Sequence, residues 1–270
     1  MTDTPVLALN DGRTMPQFGL GTYQIPDDRT AEVVRTALDI GYRLVDTATI
    51  YRNERGVGEG LGTSDAFVTT KLWNDRQHDP KAAFAESLDR LGRTTVDLYL
   101  IHWPVPSAGQ FVHAWKALVE LRDEGRAKSI GVSNFFPEHI ERIAEATGVM
   151  PAVNQIELHP AFQQHAARAF HDEHGIVTQS WSPLGAGDLL GDPTIKRIAD
   201  KHGCSVARVI LAWHLALGLS VIPKASGQAH LADNFAARDL TLDDEDMAAI
   251  ATLDRADGRI GPDPMVMGGS

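Results

Sequence analysis

An aspartate, a tyrosine, a lysine and a histidine fall at Asp46, Tyr51, Lys71 and His102. Three of them end apolar runs, LVD, VTTK and LYLIH, and Tyr51 lies five residues beyond Asp46 in LVDTATIYRNE. A phenol with an ordinary pKa of about 10 is a poor acid or base at neutral pH unless a cation stabilises its phenolate. Lys71 is such a cation, and a carboxylate such as Asp46 keeps a buried lysine charged and aimed. His102 then donates a hydrogen bond to a carbonyl oxygen or assists proton transfer. The set therefore reads as an apparatus in which Asp46 holds Lys71, Lys71 tunes Tyr51, and Tyr51 gives a proton to an oxygen. Each member also has an ordinary structural use, as a helix cap, a solvated charge, a core ring with a wet hydroxyl or a satisfied hydrogen-bonder. Their joint occurrence at successive strand ends points to chemistry without naming a reaction.

Something must bring those strand ends together. Short apolar segments recur along the chain as FGLGTY, RLVDTA, AFVTTKL, VDLYLIHW, AKSIGVSN, AVNQIEL, IVTQSWSP and LSVIPK, which makes eight strand candidates. Between them lie RTAEVVRTALDI, PKAAFAESLDRL, FVHAWKALVELRDEG, EHIERIAEAT and SVARVILAWHLAL, whose apolar residues recur every three to four positions as in amphipathic helices. Alternating βα units of this number predict an α/β fold, a (β/α)8 TIM barrel, with residues at the C-terminal strand ends converging on one mouth. Asp11-Gly12 between two short extended runs predicts an N-terminal β-hairpin that plugs the bottom of the barrel. DDEDMAAIATLD predicts an acidic-capped helix, followed by a short C-terminal tail, DGRIGPDPMVMGGS, rich in Gly and Pro. The glycines of GVGEGLG, Gly56 to Gly62, have the wrong spacing for a phosphate loop and lie in a helical stretch, which disfavours an open doubly wound sheet.

No linker-like tract interrupts the 270 residues, so residues 1–270 are expected to form a single domain. With 25 Lys and Arg against 36 Asp and Glu, the formal charge of −11 opposes binding to nucleic acid or to an anionic membrane surface. The start lacks a basic, apolar signal sequence, and Val206 to Pro223 is broken by Arg208 and His214, so a soluble protein is expected. Cys204 is the single cysteine and cannot form an internal disulfide, which fits a reducing cytoplasm. The helices' apolar residues are accounted for by the barrel wall, so a monomer is expected.

The stretches GLGTYQIP, DTATIYRNERGVGEGL, VTTKLWND, VDLYLIHWP, KSIGVSNF, PAVNQIELHP, SWSPLG and VIPK resemble, in order and spacing, the aldo-keto reductase superfamily, and within it the bacterial 2,5-diketo-D-gluconate reductase-like branch. The resemblance covers nearly the whole chain. It implies an NADPH-dependent oxidoreductase that reduces a small-molecule carbonyl on a TIM barrel, with Tyr51 as general acid, Lys71 and Asp46 supporting it, and His102 orienting the carbonyl oxygen.

The same resemblance implies that Ser133, Asn134 and Gln155 hold the nicotinamide carboxamide, that Trp181 stacks on its ring, that Ser182, Leu184 and Gly185 follow the pyrophosphate, and that Asn234 meets the adenine. At the adenosine end Lys224 matches the pattern, but Ala225 replaces a serine, and Gly227 and His230 stand where relatives often carry arginines. Glycine offers no side-chain contact to a 2′-phosphate and histidine is only partly charged at neutral pH, so use of NADH beside NADPH is expected. Tyr23, Trp73 and Trp103, with Phe135 or Phe136 nearby, are expected to line an apolar substrate pocket. The loop PVPSAGQF and the tail are short, and the resemblance implies that short loops go with small aldehydes, α-dicarbonyls or keto-sugars, 2,5-diketo-D-gluconate among them. No resident metal is expected. Rival readings are a non-catalytic nucleotide-binding barrel, an aldolase using Lys71 as a Schiff-base nucleophile, and a metal site at His102, Glu157 and His159.

Overall fold

The structure, a computed structural model, describes residues 5–268. Strands β1 (Val6–Ala8) and β2 (Thr14–Pro16) pair antiparallel, with the turn at Asp11-Gly12 closed by the Leu9 N–H to the Arg13 carbonyl at 2.8 Å. Eight parallel strands follow: β3 (Leu20–Gly21), β4 (Leu44–Asp46), β5 (Phe67–Leu72), β6 (Val96–Ile101), β7 (Ala127–Ser133), β8 (Val153–Glu157), β9 (Val177–Trp181) and β10 (Ser220–Val221). Each neighbours the next in sequence order, and the last returns to the first. The Gly19 N–H bonds the Val221 carbonyl at 2.9 Å, the Val221 N–H bonds the Gln17 carbonyl at 2.9 Å, and the Gly21 N–H bonds the Pro223 carbonyl at 3.1 Å. This closes the (β/α)8 barrel. Closure depends on Gly21, since a Cβ there would lie 2.6 Å from the Ile222 carbonyl oxygen.

Helices α1 (Asp27–Ile40), α2 (Glu54–Leu61), α3 (Pro80–Leu91), α4 (Phe111–Asp123), α5 (Pro137–Thr147) and α6 (His165–Glu173) link successive strands. Helices α7 (Pro193–His202) and α8 (Val206–Ala216) both separate β9 from β10, while α9 (Gln228–Phe235) and α10 (Asp244–Ala251) follow the barrel. GVGEGLG lies on α2 and its C-cap, Cys204 sits between α7 and α8, and Asp243 caps α10 in a reciprocal pair with Asp246. Among the described residues, no helix is long and apolar enough to cross a membrane.

Alternation along each strand separates two cores. Val45, Val68, Tyr99 and Ile101 pack outward against Phe84, Trp115 and Leu118 of the helices. Their neighbours Leu44, Leu98, Leu100 and Val153 form an inner cluster with Leu9 and Met15 of the hairpin, so the hairpin closes the bottom of the barrel with apolar side chains. One step further along the same inward rows come Asp46, Lys71, His102 and Gln155. The barrel interior is thus apolar at its base and polar at its mouth.

Candidate active site

Lys71 and Asp46 are buried, with Lys71 Nζ 2.5 Å from Asp46 Oδ1 and 2.9 Å from the Thr47 carbonyl. Burial raises the Asp46 carboxyl and lowers the Lys71 ammonium from their ordinary values, and each offsets the other's shift. Lys71 Nζ lies 5.0 Å from the centroid of the Tyr51 ring. That ring is carried on a 3-10 turn, Thr49–Tyr51, ended by Arg52 in the left-handed region at φ 57°. Asn53 pins the turn, since its amide donates to the Thr22 and Ile25 carbonyls at 2.8 and 3.0 Å and its Oδ1 accepts from the Thr47 hydroxyl at 2.7 Å. The Thr49 hydroxyl adds a bond to the Lys71 carbonyl at 3.0 Å.

The His102 ring packs edge-on to Tyr51 at 5.7 Å and to Trp73 at 5.0 Å. Burial, and then Lys71, hold its pKa well below the ordinary imidazole value, so it is neutral. Tyr51 moves the other way from the sequence expectation. Burial first, then the charge of Asp46, raise its phenol well above its ordinary value. The phenol therefore keeps its proton at neutral pH.

Gln155 joins this group to the far wall, with Nε2 donating to Asp46 Oδ2 at 2.8 Å and to Gln179 Oε1 at 2.6 Å. The Ser133 hydroxyl donates to the Gln155 carbonyl at 2.8 Å. Asn134 donates through Nδ2 to the His102 carbonyl at 3.0 Å and accepts from Trp181 Nε1 at 2.8 Å. Asn134 and Ser182 both take φ above zero, at 62° and 48°, which a side chain adopts at some cost where a strand must turn sharply at a site.

A cavity of about 480 Å³ opens at the mouth and is lined by Asp46, Tyr51, His102, Ser133, Asn134, Gln155, Trp181, Ser182 and Lys224. Tyr23, Trp73 and Trp103 line it too. Other expected residues lie outside that lining. Leu184 packs between the outer cores, Gly185 opens a turn at φ 60°, His230 is exposed on α9 and Asn234 is buried there. Phe135 is buried against Phe111, and Phe136 does not line the cavity.

Sequence reasoning missed several contributors. Ile50 lines the cavity beside Tyr51, within a stretch already singled out, while Ile260, Gly261, Pro262 and Met267 of the tail line it without any motif to announce them. Glu54 was also unrecognised. Its buried carboxylate takes the Thr70 hydroxyl at 2.5 Å and Arg90 Nε at 2.6 Å, behind Lys71. Lys71 has no exposed surface and is committed to Asp46, an unsuitable state for a Schiff-base nucleophile. Glu157 and His159 bond each other at 3.2 Å, and among the described residues no group of three or more His, Cys, Asp or Glu could hold a metal ion.

Residues 15–255 match the profile of the Aldo/keto reductase family. The chain belongs to that family. An aldo-keto reductase of Mycolicibacterium smegmatis is 49% identical over 268 residues, covering 97% of each chain, and the methylglyoxal reductase DkgA of Salmonella typhimurium is 44% identical over 276 residues, covering 100% of each. DkgA is of the 2,5-diketo-D-gluconate reductase-like branch. Among solved structures, a Gox0644 variant in complex with NADPH is 54% identical, covers 98% of this chain and 99% of its own, and superposes with a TM-score of 0.96. An aldo/keto reductase from Brucella melitensis reaches 0.90 at 49% identity, over 94% of this chain and 99% of its own.

Proposed function

We propose that this protein is an NADPH-dependent reductase of small, uncharged aldehydes and α-dicarbonyls. The observation that carries the reading is the convergence, in one apolar-walled cavity, of Tyr51 and His102 with the hydroxyl and amide groups of Ser133, Asn134 and Gln155 and the half-buried indole of Trp181. A cofactor fits that lining. Ser133, Asn134 and Gln155 suit a carboxamide, Trp181 offers a flat face, and Ser182, Leu184 and Gly185 form a turn suited to a pyrophosphate. Asn234 serves the adenine, and the exposed Lys224 and His230 serve a 2′-phosphate. NADPH, named with the Gox0644 relative, supplies a hydride when bound. Because its phosphate clamp has no guanidinium at positions 227 and 230, NADH is expected to serve as well, with lower affinity.

The protein's own part is proton delivery. Tyr51 holds its proton until negative charge develops on the carbonyl oxygen, and then gives it up. The Lys71 ammonium, kept charged by Asp46, stabilises the phenolate left behind. His102, neutral, donates a hydrogen bond to the same oxygen without adding charge.

The walls narrow the substrate. Among the described residues lining the end near Tyr51, Trp73 and Trp103, none is a lysine or arginine, and Lys224 lies at the barrel closure beside Gly21. A carboxylate placed near Tyr51 would lose water without gaining a lysine or arginine partner from the lining. This favours methylglyoxal, the substrate in the name of DkgA, over the anionic 2,5-diketo-D-gluconate. Comparing the two by NADPH oxidation is the test, with kcat/KM for the uncharged dicarbonyl expected to be higher by about tenfold or more. The reverse ranking would overturn the preference for uncharged substrates, and no oxidation with either would overturn the reductase reading.

A further inference from the structure

The end of the chain carries a polar anchor that the proton-delivery chemistry does not use. Glu157, the last residue of β8, is 1% exposed, and both its carboxylate oxygens are committed. Oε1 accepts the Ile260 N–H at 2.6 Å and Oε2 accepts the Gly261 N–H at 2.8 Å. His159 Nε2 lies 3.2 Å from Oε1. Burial pushes this carboxyl up, but the bonds from His159 and the two backbone N–H groups outweigh it and hold the pKa below the ordinary carboxylate value. Charged acceptors make the strong bonds to backbone N–H groups, so this carboxylate grips the tail where no helix or strand does.

The gripped segment is a wall of the cavity. Ile260, Gly261 and Pro262 face it from the β8 side, and Met267 faces it from beyond. Asn74, next to Trp73, donates to the Gly268 carbonyl at 3.1 Å and fixes the other side of the crossing. The backbone at Gly261 packs closely against the indole, since a Cβ there would sit 2.5 Å from Trp181 Cη2 and 2.8 Å from Glu157 Oε2. The Arg259 guanidinium rests over the Phe162 ring at 4.8 Å, just before the anchor.

We propose that Glu157 is a positioning residue that latches the C-terminal tail across the barrel mouth, and that the latched tail forms the outer wall of the carbonyl pocket and sets its affinity for substrate. The substrate half of this inference rests on the reductase reading, and the latch itself does not.

Two readouts test it in Glu157→Gln, which keeps the shape of the side chain but puts an N–H where an acceptor is needed. Trypsin cleavage after Arg259, followed by mass spectrometry of the full-length protein, is expected to run about tenfold faster than in wild type as the backbone bonds are lost. With NADPH, KM for phenylglyoxal is expected to rise about tenfold, with kcat and NADPH affinity within about twofold of wild type, the pattern of lost uniform substrate binding. Gly261→Ala, which leaves the carboxylate in place but lifts the backbone off Trp181, is expected to show the same faster cleavage and higher KM, and decides the matter alone should Glu157→Gln fail to fold. Unchanged cleavage overturns the latch. Faster cleavage with unchanged KM overturns the tail as a substrate wall, and a joint collapse of kcat, KM and NADPH affinity assigns Glu157 to general support instead. If wild-type protein reduces no carbonyl, the reductase reading fails, and cleavage still decides the latch.

Discussion

Lys71 lies inside the barrel without solvent contact, and its charge is tenable there because Asp46 answers it at 2.5 Å. Replacing Asp46 with Asn keeps the volume and a partner for Gln155 but leaves the lysine uncompensated. Stability by urea unfolding is expected to fall by about 3–5 kcal/mol, the cost of an orphaned buried charge. kcat is expected to fall at least about a hundredfold, because a Lys71 no longer held and aimed by Asp46 cannot steady the phenolate. NADPH affinity, read by tryptophan fluorescence, should stay near wild type, and a variant as active and stable as wild type would remove the Asp46 and Lys71 pair from the account. The placement of Asp46, Lys71 and His102 at strand ends was legible in the sequence because each closes an apolar run. The direction of the Tyr51 shift was not, since its largest cause is burial of the phenol, which only the packed fold sets. Glu157 and His159 were legible only as potential ligands, because the partners of Glu157 beyond His159 are backbone N–H groups, which carry no side-chain signature.

At the scale of elements, periodicity carried most of the fold. All eight strand candidates coincide with β3 to β10, and PKAAFAESLDRL coincides with α3 to the residue. The hairpin was legible from Asp11-Gly12, and its role at the base follows from Leu9 and Met15 entering the inner cluster. Met15→Ala is expected to lower stability by about 2–5 kcal/mol through the cavity it leaves, while kcat/KM stays near wild type because the mouth lies at the opposite end of the strands. A loss of activity matching the loss of stability would show the hairpin shaping the mouth. The tail could not be read the same way. Gly and Pro in DGRIGPDP exclude a helix or strand, but a segment without periodicity gives no clue to what it crosses, and its route is set by long-range bonds from Asn74 and Glu157.

Across the whole molecule, buried histidines make folding sensitive to acid. His171 is fixed between Asn154 and Thr178 and its pKa is lowered to about 4, chiefly by burial, and buried His214 is lowered to about 3, again chiefly by burial. Both are neutral in the fold and take up a proton only on unfolding, so their stability contribution is present above the ordinary histidine value and is lost as pH falls below about 6.5 towards their folded values. Each costs about 1.4 kcal/mol per pH unit across that window, so urea unfolding at pH 5 is expected to give a stability roughly 3–4 kcal/mol below that at pH 7. Equal stabilities would show that these rings are solvated or charged in the fold. The formal charge of −11 gives this molecule no general attraction for anions, so recognition of a dinucleotide has to come from local groups, the role proposed above for Lys224 and His230. The account as a whole stands on Tyr51 acting as the proton donor to a bound carbonyl. The most direct measurement is NADPH oxidation with methylglyoxal by the wild-type protein and by Tyr51→Phe, after NADPH binding to both has been confirmed by fluorescence. Turnover in the wild type that falls by about 10²–10⁴-fold in the variant, at unchanged NADPH affinity, is the predicted result. Turnover that survives the loss of the phenol, or a wild-type protein that binds NADPH and reduces nothing, would contradict it.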